Sequence, residues 1–514
     1  MASNLIKSTE VNVVWLKRDL RLNDHEPLSQ SIKSGLTLLY YVFEPLLIDD
    51  AHYDQRHWRF VWQSIQDINI VLAQFNSRVY VYFGDAIDGF NEINSLFNIS
   101  CIFSHEETGL LSTFDRDKAV NKWCKACDIP WIESETGAVS RGTKNRIDWD
   151  KHWLNVMKAP LSTPLLSSST LVSANDIDKL TEPALPISWS TPDDFMLKGG
   201  EVWAQRTLQS FLKVRGKSYH FNISKPLASR KSCSRLSPYL AWGNISLRQF
   251  YQTILLKRTQ VGWKRSLDAL ISRLHWHCHF IQKFESEHQM QFRPVNKAYS
   301  DLNYPDIHMG LSLDERLTKW KMAQTGYPLV DACMRCLEKT GYINFRMRAM
   351  LVSFLCHHLL VDWRLGVTHL AKYFLDFEPG IHYPQFQMQS GVTGTNIIRV
   401  YNPVKQSQEK DIEGLFIRRW IPELSELPNE IIHTPWALSP MEQQLYQCNI
   451  GDHYPLPIID IKATSKIARD ILWGFRQRFD VKKEGQRIVT KHVRVPKNKD
   501  KPNKLKSVKN KANQ

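Results

Sequence analysis

Residues 373–403 bring two carboxylates, an imidazole and a guanidinium into one short stretch of an otherwise helical region. Asp376 and Glu378 lie two positions apart, His382 and Arg399 follow, and six aromatic side chains stand among them. Proline and glycine residues in this stretch are expected to interrupt a regular helix. Polar groups inside an apolar shell are typical of the wall of a ligand site. We therefore favour a ligand-binding wall over an irregular structural segment.

Residues 230–240 join three serines, one cysteine and three cationic side chains just before a helix-like segment. Hydroxyls, backbone N–H groups and arginine at a helix start suit an anion such as a diphosphate. A cap that serves only the helix is an equal alternative. The sequence has no glycine-rich phosphate loop, so a nucleotide bound here is not held in the Rossmann or P-loop manner.

Arg348 precedes a long apolar helix-like segment and offers a partner to Asp376 or Glu378. A buried arginine–carboxylate pair costs desolvation and is weak evidence for stability alone. Beside a redox-active ring, a fixed cation stabilises the reduced, anionic form. Pairing at the protein surface is the alternative interpretation.

The nine cysteines and the clustered histidines do not predict a metal site. The close cysteine pairs, Cys124 with Cys127 and Cys333 with Cys336, lie in helical patterns without histidine at ligand spacing. The histidines of residues 275–279 alternate along a helix and therefore point to different faces. We interpret the cysteines as reduced core or surface thiols, with an iron–sulfur site as the minor alternative.

Two kinds of element must position these side chains. The first is a set of short β-branched and aromatic runs, at residues 11–16, 36–43, 79–83 and 101–104. Helix-like segments separate these runs, which predicts an open parallel α/β sheet over residues 8–140. Its ligand crevice is expected at the carboxyl ends of the strands, near residues 17–24 or 106–113.

The second kind of element is helical. Residues 141–200 are rich in proline, serine and threonine and predict a long surface linker, and residues 201–480 show the 3.6-residue periodicity of an all-helical domain. Residues 481–514 predict a disordered basic tail, with twelve Lys/Arg against two acidic residues from position 482. The predicted fold is thus an α/β domain joined by a linker to an all-α domain.

Composition limits the class of protein. A chain of 514 residues with 43% hydrophobic and 23% charged residues is expected to form a multidomain globular protein. No apolar run approaches the roughly 18 residues of a membrane span, and the N-terminal sequence lacks a signal-peptide core, so we expect a cytoplasmic protein without membrane association. The net charge of +15 indicates a polyanionic partner or serves solubility.

The chain resembles the photolyase/cryptochrome family in a collinear series of motifs: VVWLKRDLRLNDHEPL, SRLSPYLAWGNIS, TGYPLVDACMR, VDWRLG, RVYNP and EGLFIRRWIPEL. The resemblance implies an N-terminal antenna domain and a helical domain that holds FAD. A second, antenna chromophore is compatible with it. The identity of that chromophore stays open, because residues 106–113 lack the Asn-Glu pair typical of folate binders.

The resemblance also implies cofactor-binding residues. Arg348 and Asp376 resemble the ion pair beside the flavin ring, Glu378 the second family acid, and His277 a position where arginine is usual. His382 stands where an asparagine usually faces flavin N5, and a titratable imidazole there is expected to make flavin protonation pH-sensitive. The residues that resemble the FAD phosphate cradle are Tyr219, Cys233 (usually threonine), Ser234, Arg235, Leu236 and Ser237.

Electron transfer to the flavin departs from the family pattern. Trp363 and Trp320 resemble the middle and outer members of the family's tryptophan chain, but Phe386 stands at the innermost position. Phenylalanine is much harder to oxidise than tryptophan, so this route is expected to be interrupted. Tyr342 and Tyr383 are the candidate substitutes.

The DNA-binding positions are partly kept. Trp276 resembles the catalytic aromatic that lines the lesion pocket, Arg399 a phosphate contact, and Lys405 lies close to it in sequence. Other pocket positions depart from those of dimer photolyases: Arg273, His277, Phe345 and Met388. These departures are compatible with a divergent subgroup that has its own pocket chemistry.

The leading functional hypothesis is a blue-light-driven DNA photolyase that repairs pyrimidine dimers in ultraviolet-damaged DNA by electron transfer from reduced FAD. We expect it to act as a monomer. The remodelled pocket favours the alternative, a cryptochrome-type photoreceptor without repair activity. A flavin-binding protein with neither role is the third hypothesis, since a fold does not fix a function.

Overall fold

The computed structural model describes residues 9–304 and 310–492. Its first part contains five strands: β1 (Glu10–Leu16), β2 (Thr37–Phe43), β3 (Tyr80–Phe83), β4 (Asn98–His105) and β5 (Trp131–Ser134). They form one all-parallel sheet in the order β3-β2-β1-β4-β5. Val14 and Leu16 of β1 pack into one apolar cluster and Val13 and Trp15 into another. Both faces of the sheet are therefore covered, as parallel sheets require, and the predicted α/β domain is confirmed.

Eight helices accompany the sheet and the segment that follows it: α1 (Glu26–Ser34), α2 (Pro45–Ile48), α3 (Gln55–Leu72), α4 (Ala86–Leu96), α5 (Leu111–Ala126), α6 (Trp149–Lys158), α7 (Ala174–Ile177) and α8 (Ile187–Ser190). The segment 141–200 packs on the sheet domain through backbone hydrogen bonds. Thr37 N donates to Thr170 O at 2.9 Å, and Val172 N donates to Thr37 O at 3.0 Å. The segment thus adds a short backbone pairing at the start of β2.

The rest of the chain is helical, as predicted: α9 (Glu201–Lys213), α10 (Tyr219–Asn222), α11 (Ala228–Ser232), α12 (Ser237–Ala241), α13 (Leu247–Arg258), α14 (Lys264–Ser286), α15 (Leu313–Lys321), α16 (Pro328–Thr340), α17 (Phe345–Ser353), α18 (Arg364–Tyr373), α19 (Pro379–Gln389), α20 (Pro403–Lys410), α21 (Leu415–Trp420), α22 (Pro440–Leu445), α23 (Ile461–Gln477) and α24 (Phe479–His492). Across the residues that the structure describes, none of the helices is long and apolar enough to cross a membrane.

Helix α19 lies within the stretch where proline and glycine were expected to interrupt a helix. It begins at Pro379 because proline suits the first helical position, and the Glu378 side chain caps it by accepting the Gly380 N–H. Pro384 lies inside the helix, which nevertheless continues to Gln389. Gly380 also lets α19 approach α14 closely, since a Cβ there would lie 2.8 Å from Ile281 Cα. The expected interruption is therefore wrong for residues 379–389.

The two domains meet where the segment after β1 crosses the segment after α12. Leu20 N donates to Trp242 O at 3.1 Å, and Asn244 Nδ2 donates back to Leu20 O at 2.8 Å. Gly243 has φ +73°, and a Cβ at this position would clash with the backbone of Arg18. Only glycine permits this close approach, which fixes the carboxyl ends of the strands against the helical domain.

Helix α24 corrects the prediction of a disordered tail from residue 481. Its buried residues Val481, Gly485, Ile488 and His492 follow helical spacing and give it one packed face. Arg487, Lys491 and His492 all contact the Glu287 carboxylate, with distances of 2.6, 3.1 and 3.2 Å. The polar composition concealed a helix whose cations share one partly buried acidic partner. The rest of the predicted tail, residues 493–514, lies outside the described residues.

Candidate functional site

The structure brings Arg348 and Asp376 together as a tight ion pair. Arg348 Nη2 lies 2.7 and 2.6 Å from the two carboxylate oxygens of Asp376. Helix α17, capped by the Asn344 side chain, positions the arginine, and Asp376 lies just before α19. The guanidinium also lies over the Phe374 ring, 3.7 Å from its centroid. The surface alternative is therefore wrong, because Asp376 is buried and the cation is held in one orientation.

His382 is buried on α19 in a shell of aromatic rings. Its Nε2 lies 2.9 Å from Val367 O, so Nε2 carries the proton and donates it, and Nδ1 keeps its lone pair. Burial lowers the pKa of His382 to about 3. The imidazole is therefore neutral at physiological pH. Its aromatic neighbours are Phe374, Phe377, Tyr383 and Phe386.

Four predicted positions line one small cavity beside this ion pair. Phe345 and Arg348 come from α17, and His382 and Phe386 come from α19. The cavity wall thus combines one fixed cation, one neutral imidazole and two phenylalanine rings. The cavity measures only about 20 Å³, so the chemistry of its wall, and not its volume, suits an aromatic ligand with negative charge at one edge.

The loop before α12 has the character of an anion cradle. Arg215 fixes its backbone by donating to the carbonyl oxygens of Cys233 and, at 2.9 Å, Ser234. Arg235 adopts φ 62°, a left-handed conformation that is uncommon outside glycine. Its guanidinium lies 3.9 Å from the Tyr342 ring centroid, and its buried Nε has no hydrogen-bond partner among the described residues. A buried donor without a partner fits an anionic ligand.

Glu378 does not pair with Arg348, the partner that the sequence offered to both acids. Its carboxylate lies 3.2 Å from Arg18 Nη1, which belongs to the sheet domain. Arg18 also donates to Phe377 O at 3.0 Å and to Tyr53 Oη at 2.9 Å. Burial raises the pKa of Glu378, and Arg18 opposes that shift. The second acid therefore joins the two domains, while Arg348 pairs with Asp376.

A cavity of about 510 Å³ lies between the two domains, a volume within the usual range of small-molecule sites. Both segments predicted as ligand crevices contribute to its wall, which is lined by Lys17, Arg18, Asp19, Arg21 and Asp24 of the first and by residues 106–108 of the second. His277 and Cys278 of α14 and Glu378 line the opposite side. The buried Nδ1 of His277 has no hydrogen-bond partner within the described part of the chain. The structure thus places His277 and Glu378 on this second cavity.

Two family models match the chain and together span more than half of it. The model described as DNA photolyase matches residues 12–141, and the model described as the FAD binding domain of DNA photolyase matches residues 270–474. The chain belongs to the photolyase/cryptochrome family. The sequence-based assignment is therefore confirmed, and FAD is the cofactor that the matched domain binds.

Curated relatives of this photolyase/cryptochrome chain carry both names. It is 28% identical to a deoxyribodipyrimidine photo-lyase of Alkalihalophilus pseudofirmus, over 91% of this chain and 98% of that protein. It is 29% identical to a cryptochrome DASH of Synechocystis sp., over 89% of this chain and 97% of that protein. The crystal structure of a Synechocystis cryptochrome superposes with a TM-score of 0.80 at 26% identity, covering 91% of this chain and 100% of that one.

The cradle residues fit the diphosphate of FAD. The hydroxyls of Ser234 and Ser237 are only partly buried, and the unpaired Arg235 Nε lies beside them in the sequence. Tyr219 and Leu236 are buried. Cys233 is also buried, and burial raises the pKa of its thiol to about 11. It therefore packs as a neutral group and does not add charge to the cradle.

The aromatic residues of the predicted electron-transfer chain are buried. Trp363 caps α18, and Trp320 contacts the same helix, where a Cβ on Gly366 would lie 3.3 Å from its indole. Trp363 packs edge-on against Tyr383, with 6.2 Å between the ring centroids. Tyr383 thus lies between the tryptophan and the His382 shell, whereas the second candidate tyrosine, Tyr342, lies under Arg235 in the cradle.

The predicted DNA-binding residues differ in exposure. Trp276 on α14 is 44% exposed and packs against Phe280, with 5.5 Å between the ring centroids. Arg399 and Lys405 are exposed, and Met388 is half-buried. These side chains are accessible to a macromolecular ligand, as their predicted role requires.

The sequence analysis missed a buried triad at the carboxyl ends of β1 and β4. Asp19 Oδ2 lies 2.6 Å from His105 Nδ1 and 3.1 Å from His25 Nε2. The three ligand atoms lie within 4.8 Å of one another, which is compatible with metal spacing. However, His25 Nδ1 accepts the Leu28 N–H, so its Nε2 carries a proton and faces the carboxylate. The triad is therefore one hydrogen bond, between His105 and Asp19, with the N–H of His25 close to the same carboxylate, and the adjacency of β1 and β4 in the sheet was the signal for it.

Proposed function

We propose that this protein is a blue-light-driven DNA photolyase that repairs ultraviolet-induced pyrimidine dimers. Trp276 carries the proposal. Leaving nearly half of a large side chain in water forgoes part of the burial energy of about 1.5–3 kcal/mol, and Phe280 packs against this ring. An exposed, supported indole is a stacking platform for an unpaired base, worth ~1–3 kcal/mol per base. It projects from α14, the helix that packs on α19.

The proposed roles of the flavin-site residues follow from their chemistry. Bound FAD, once reduced and excited by light, supplies the electron that splits the dimer. Arg348 offsets negative charge at the ring, and Asp376 holds that guanidinium in place. Neutral His382 supplies a lone pair without adding charge. Ser234, Arg235 and their cradle neighbours hold the diphosphate.

The proposed DNA contacts are electrostatic and apolar. Arg399 and Lys405 bind backbone phosphates, which positions the strand without reading its sequence. Met388 borders the lesion pocket as an apolar surface. The interdomain cavity, with its mixed acidic and basic wall, is the proposed site of a second, antenna chromophore whose identity stays open.

A second candidate function is a blue-light photoreceptor without repair activity. Arg273, which stands where dimer photolyases place a substrate-binding glutamate, lies near Tyr219 of the cradle, where its charge opposes the burial that raises the pKa of that phenol. Phe345 offers an exposed apolar ring where a polar group is usual. These two positions therefore give the lesion fewer polar contacts than a dimer photolyase does.

The test is repair by the purified, FAD-loaded, prereduced protein. Oligonucleotides that carry each class of ultraviolet lesion, single- and double-stranded, are incubated with and without blue light. We expect light-dependent loss of one lesion class. Failure to repair any class, with FAD bound and photoactive, would reject the photolyase and favour the photoreceptor.

Trp276→Ala tests the observation that carries the proposal. We expect it to weaken lesion binding by ~1–3 kcal/mol, the value of one stacked base, and to lower repair at limiting DNA. Trp473→Ala is the matched control, because Trp473 is 47% exposed on α23. Equal losses of lesion binding in both variants would show that Trp276 is not part of the lesion site.

A further inference from the structure

Tyr383, His52 and Asp50 form a buried hydrogen-bonded relay across the domain junction. Tyr383 Oη lies 2.6 Å from His52 Nε2, and His52 Nδ1 lies 2.6 Å from Asp50 Oδ1. The backbone N–H of His52 also donates to Asp50 Oδ1, at 2.9 Å. Tyr383 is 2% exposed and His52 6% exposed. The loop between α2 and α3 of the sheet domain thus supplies a base to a tyrosine of α19.

The hydrogen bonds fix the positions of the protons in this relay. Asp50 can only accept while it is ionised, so His52 carries its proton on Nδ1 and presents a lone pair at Nε2. The phenol of Tyr383 therefore donates to His52. Burial would raise the pKa of Asp50, but the hydrogen bonds from His52 outweigh it and lower the pKa. Burial raises the pKa of Tyr383, so the phenol keeps its proton at physiological pH.

The location of Tyr383 relates the relay to electron transfer. Its ring lies 6.1 Å from His382 and 6.2 Å from Trp363, measured between centroids. It is therefore in ring contact with both the flavin wall and the tryptophan, whereas Phe386 on the same helix is too hard to oxidise. His52 stacks on Phe377 at 5.4 Å, which holds the imidazole in place.

We propose that Tyr383 is a redox-active tyrosine that reduces light-excited FAD, with His52 as its proton acceptor. Tyr383 loses one electron to FAD while its Oη proton moves to His52 Nε2. The products on the protein are a neutral tyrosyl radical and an imidazolium that Asp50 stabilises. An added thiol returns one electron to the radical and becomes a thiyl radical, and two thiyl radicals from two turnovers couple to one disulfide. The proton then moves back from His52 to Tyr383, and the thiol proton goes to solvent.

This inference rests on FAD binding and not on DNA repair, so it holds equally for a photoreceptor. A neutral tyrosyl radical needs a base at the moment of oxidation, because a buried phenol radical cation has no compensation for its charge. His52 provides that base at hydrogen-bond distance. The carboxylate behind it keeps the imidazole in the accepting tautomer, as a positioning residue does for a catalytic histidine.

The first measurement uses the FAD-loaded, full-length wild-type protein. After a blue flash we expect a tyrosyl radical signal by electron paramagnetic resonance, which narrows when ring-deuterated tyrosine is incorporated. Formation of the radical should slow in D₂O, since the proton moves with the electron. A wild-type protein that photoreduces its FAD without any tyrosyl signal would overturn the proposal, whatever the variants do.

The variants assign the radical to Tyr383. We expect Tyr383→Phe to abolish the radical signal. Photoreduction of FAD in the presence of thiol should slow by roughly tenfold or more, because loss of the electron donor raises the activation barrier. His52→Gln keeps a hydrogen-bond acceptor at this position but no strong base. We expect this variant to slow photoreduction as well. Tyr299→Phe is the control, because Tyr299 is equally buried and its Oη has no hydrogen-bond partner in the described ranges.

A rescue distinguishes an electron-transfer role from a structural one. Phe386→Trp restores an oxidisable ring at the innermost position, so it should recover photoreduction in the Tyr383→Phe background without the tyrosyl signal. Wild-type photoreduction in Tyr383→Phe would contradict the proposal. Failure of the rescue at unchanged FAD content would assign the loss to structure and would also overturn it.

Discussion

Asp376 and Glu378 are two residues apart, both are buried, and they pair with arginines from different domains. Asp376 binds Arg348 of its own helical domain at 2.6 and 2.7 Å. Glu378 binds Arg18 of the sheet domain at 3.2 Å. Arg348 of the first pair lines the small cavity between α17 and α19, and both members of the second pair line the interdomain cavity. The two acids therefore pair with cations at two separate cavities.

The difference follows from the start of α19. Asp376 precedes the helix, whereas Glu378 is its N-cap and points its carboxylate back toward the Gly380 N–H. This capping geometry turns the second acid toward the domain junction, where Arg18 also reaches Phe377 O. The two-residue spacing of these acids therefore does not indicate a shared ligand, because Glu378 is the N-cap of α19 and is turned toward the domain junction.

Breaking the Arg348–Asp376 pair is expected to have the largest effect on stability and FAD content. Arg348→Ala leaves Asp376 as a buried charge without its cation, at a cost of about 3–5 kcal/mol in the free energy of unfolding. We expect the variant to purify with much less FAD, measured by absorbance against protein. Arg78→Ala, which breaks the exposed pair with Asp178, is the control and is expected to cost at most about 1 kcal/mol. Full FAD occupancy in Arg348→Ala would refute the assignment.

The second pair is expected to affect stability without affecting FAD. Arg18→Ala removes the cation from Glu378 and three further hydrogen bonds, two of them to the helical domain. We expect a loss of about 3 kcal/mol in the free energy of unfolding, measured by urea denaturation, with the FAD-to-protein ratio unchanged. Arg335→Ala, from the more exposed pair with Glu423, is the control. If Arg18→Ala lost FAD in proportion to its loss of stability, the two arginine–carboxylate pairs would not belong to separate sites.

A smaller effect concerns pH. In the unfolded chain His382 takes up a proton below pH ~6.5, whereas in the folded protein it does so only near pH 3. The unfolded state therefore binds more protons between these values, and the free energy of unfolding falls as pH falls. His382→Asn removes this dependence. Between neutral pH and pH ~5, the free energy of unfolding of the variant should therefore fall by about 2 kcal/mol less than that of the wild type.

Two observations check this pH prediction. Urea denaturation at neutral pH and at pH ~5 measures the stability difference, with His288→Asn as a matched exposed control. The absorption spectrum of bound FAD should show no step near pH ~6.5, the usual pKa of histidine. A spectral step there that His382→Asn removes would contradict the neutral imidazole.

The sequence was sufficient where one segment determines its own structure. The β-branched runs predicted the parallel sheet, and the collinear motifs identified the family and the Arg348–Asp376 pair. These signals are local or repeated along the chain. The motif positions also placed Phe386 at the innermost position of the tryptophan chain, with Tyr383 as one of two candidate substitutes.

The sequence was insufficient where partners lie far apart. Tyr383 and His52 are separated by 331 positions, and Glu378 and Arg18 by 360. The low pKa of His382 depends on burial that no spacing shows. Helix α24 was hidden by its charge, because three of its basic side chains contact the partly buried Glu287 carboxylate, which only packing brings near them. Long-range packing, not propensity, decides these features.

The measurement that most directly separates the roles of Asp376 and Glu378 is the FAD content of two charge-removing variants. Asp376→Asn and Glu378→Gln each replace one carboxylate with an amide of similar shape. Purified side by side, Asp376→Asn should carry much less FAD per chain than the wild type, and Glu378→Gln should carry the same amount. Equal losses, or loss only in Glu378→Gln, would contradict the account.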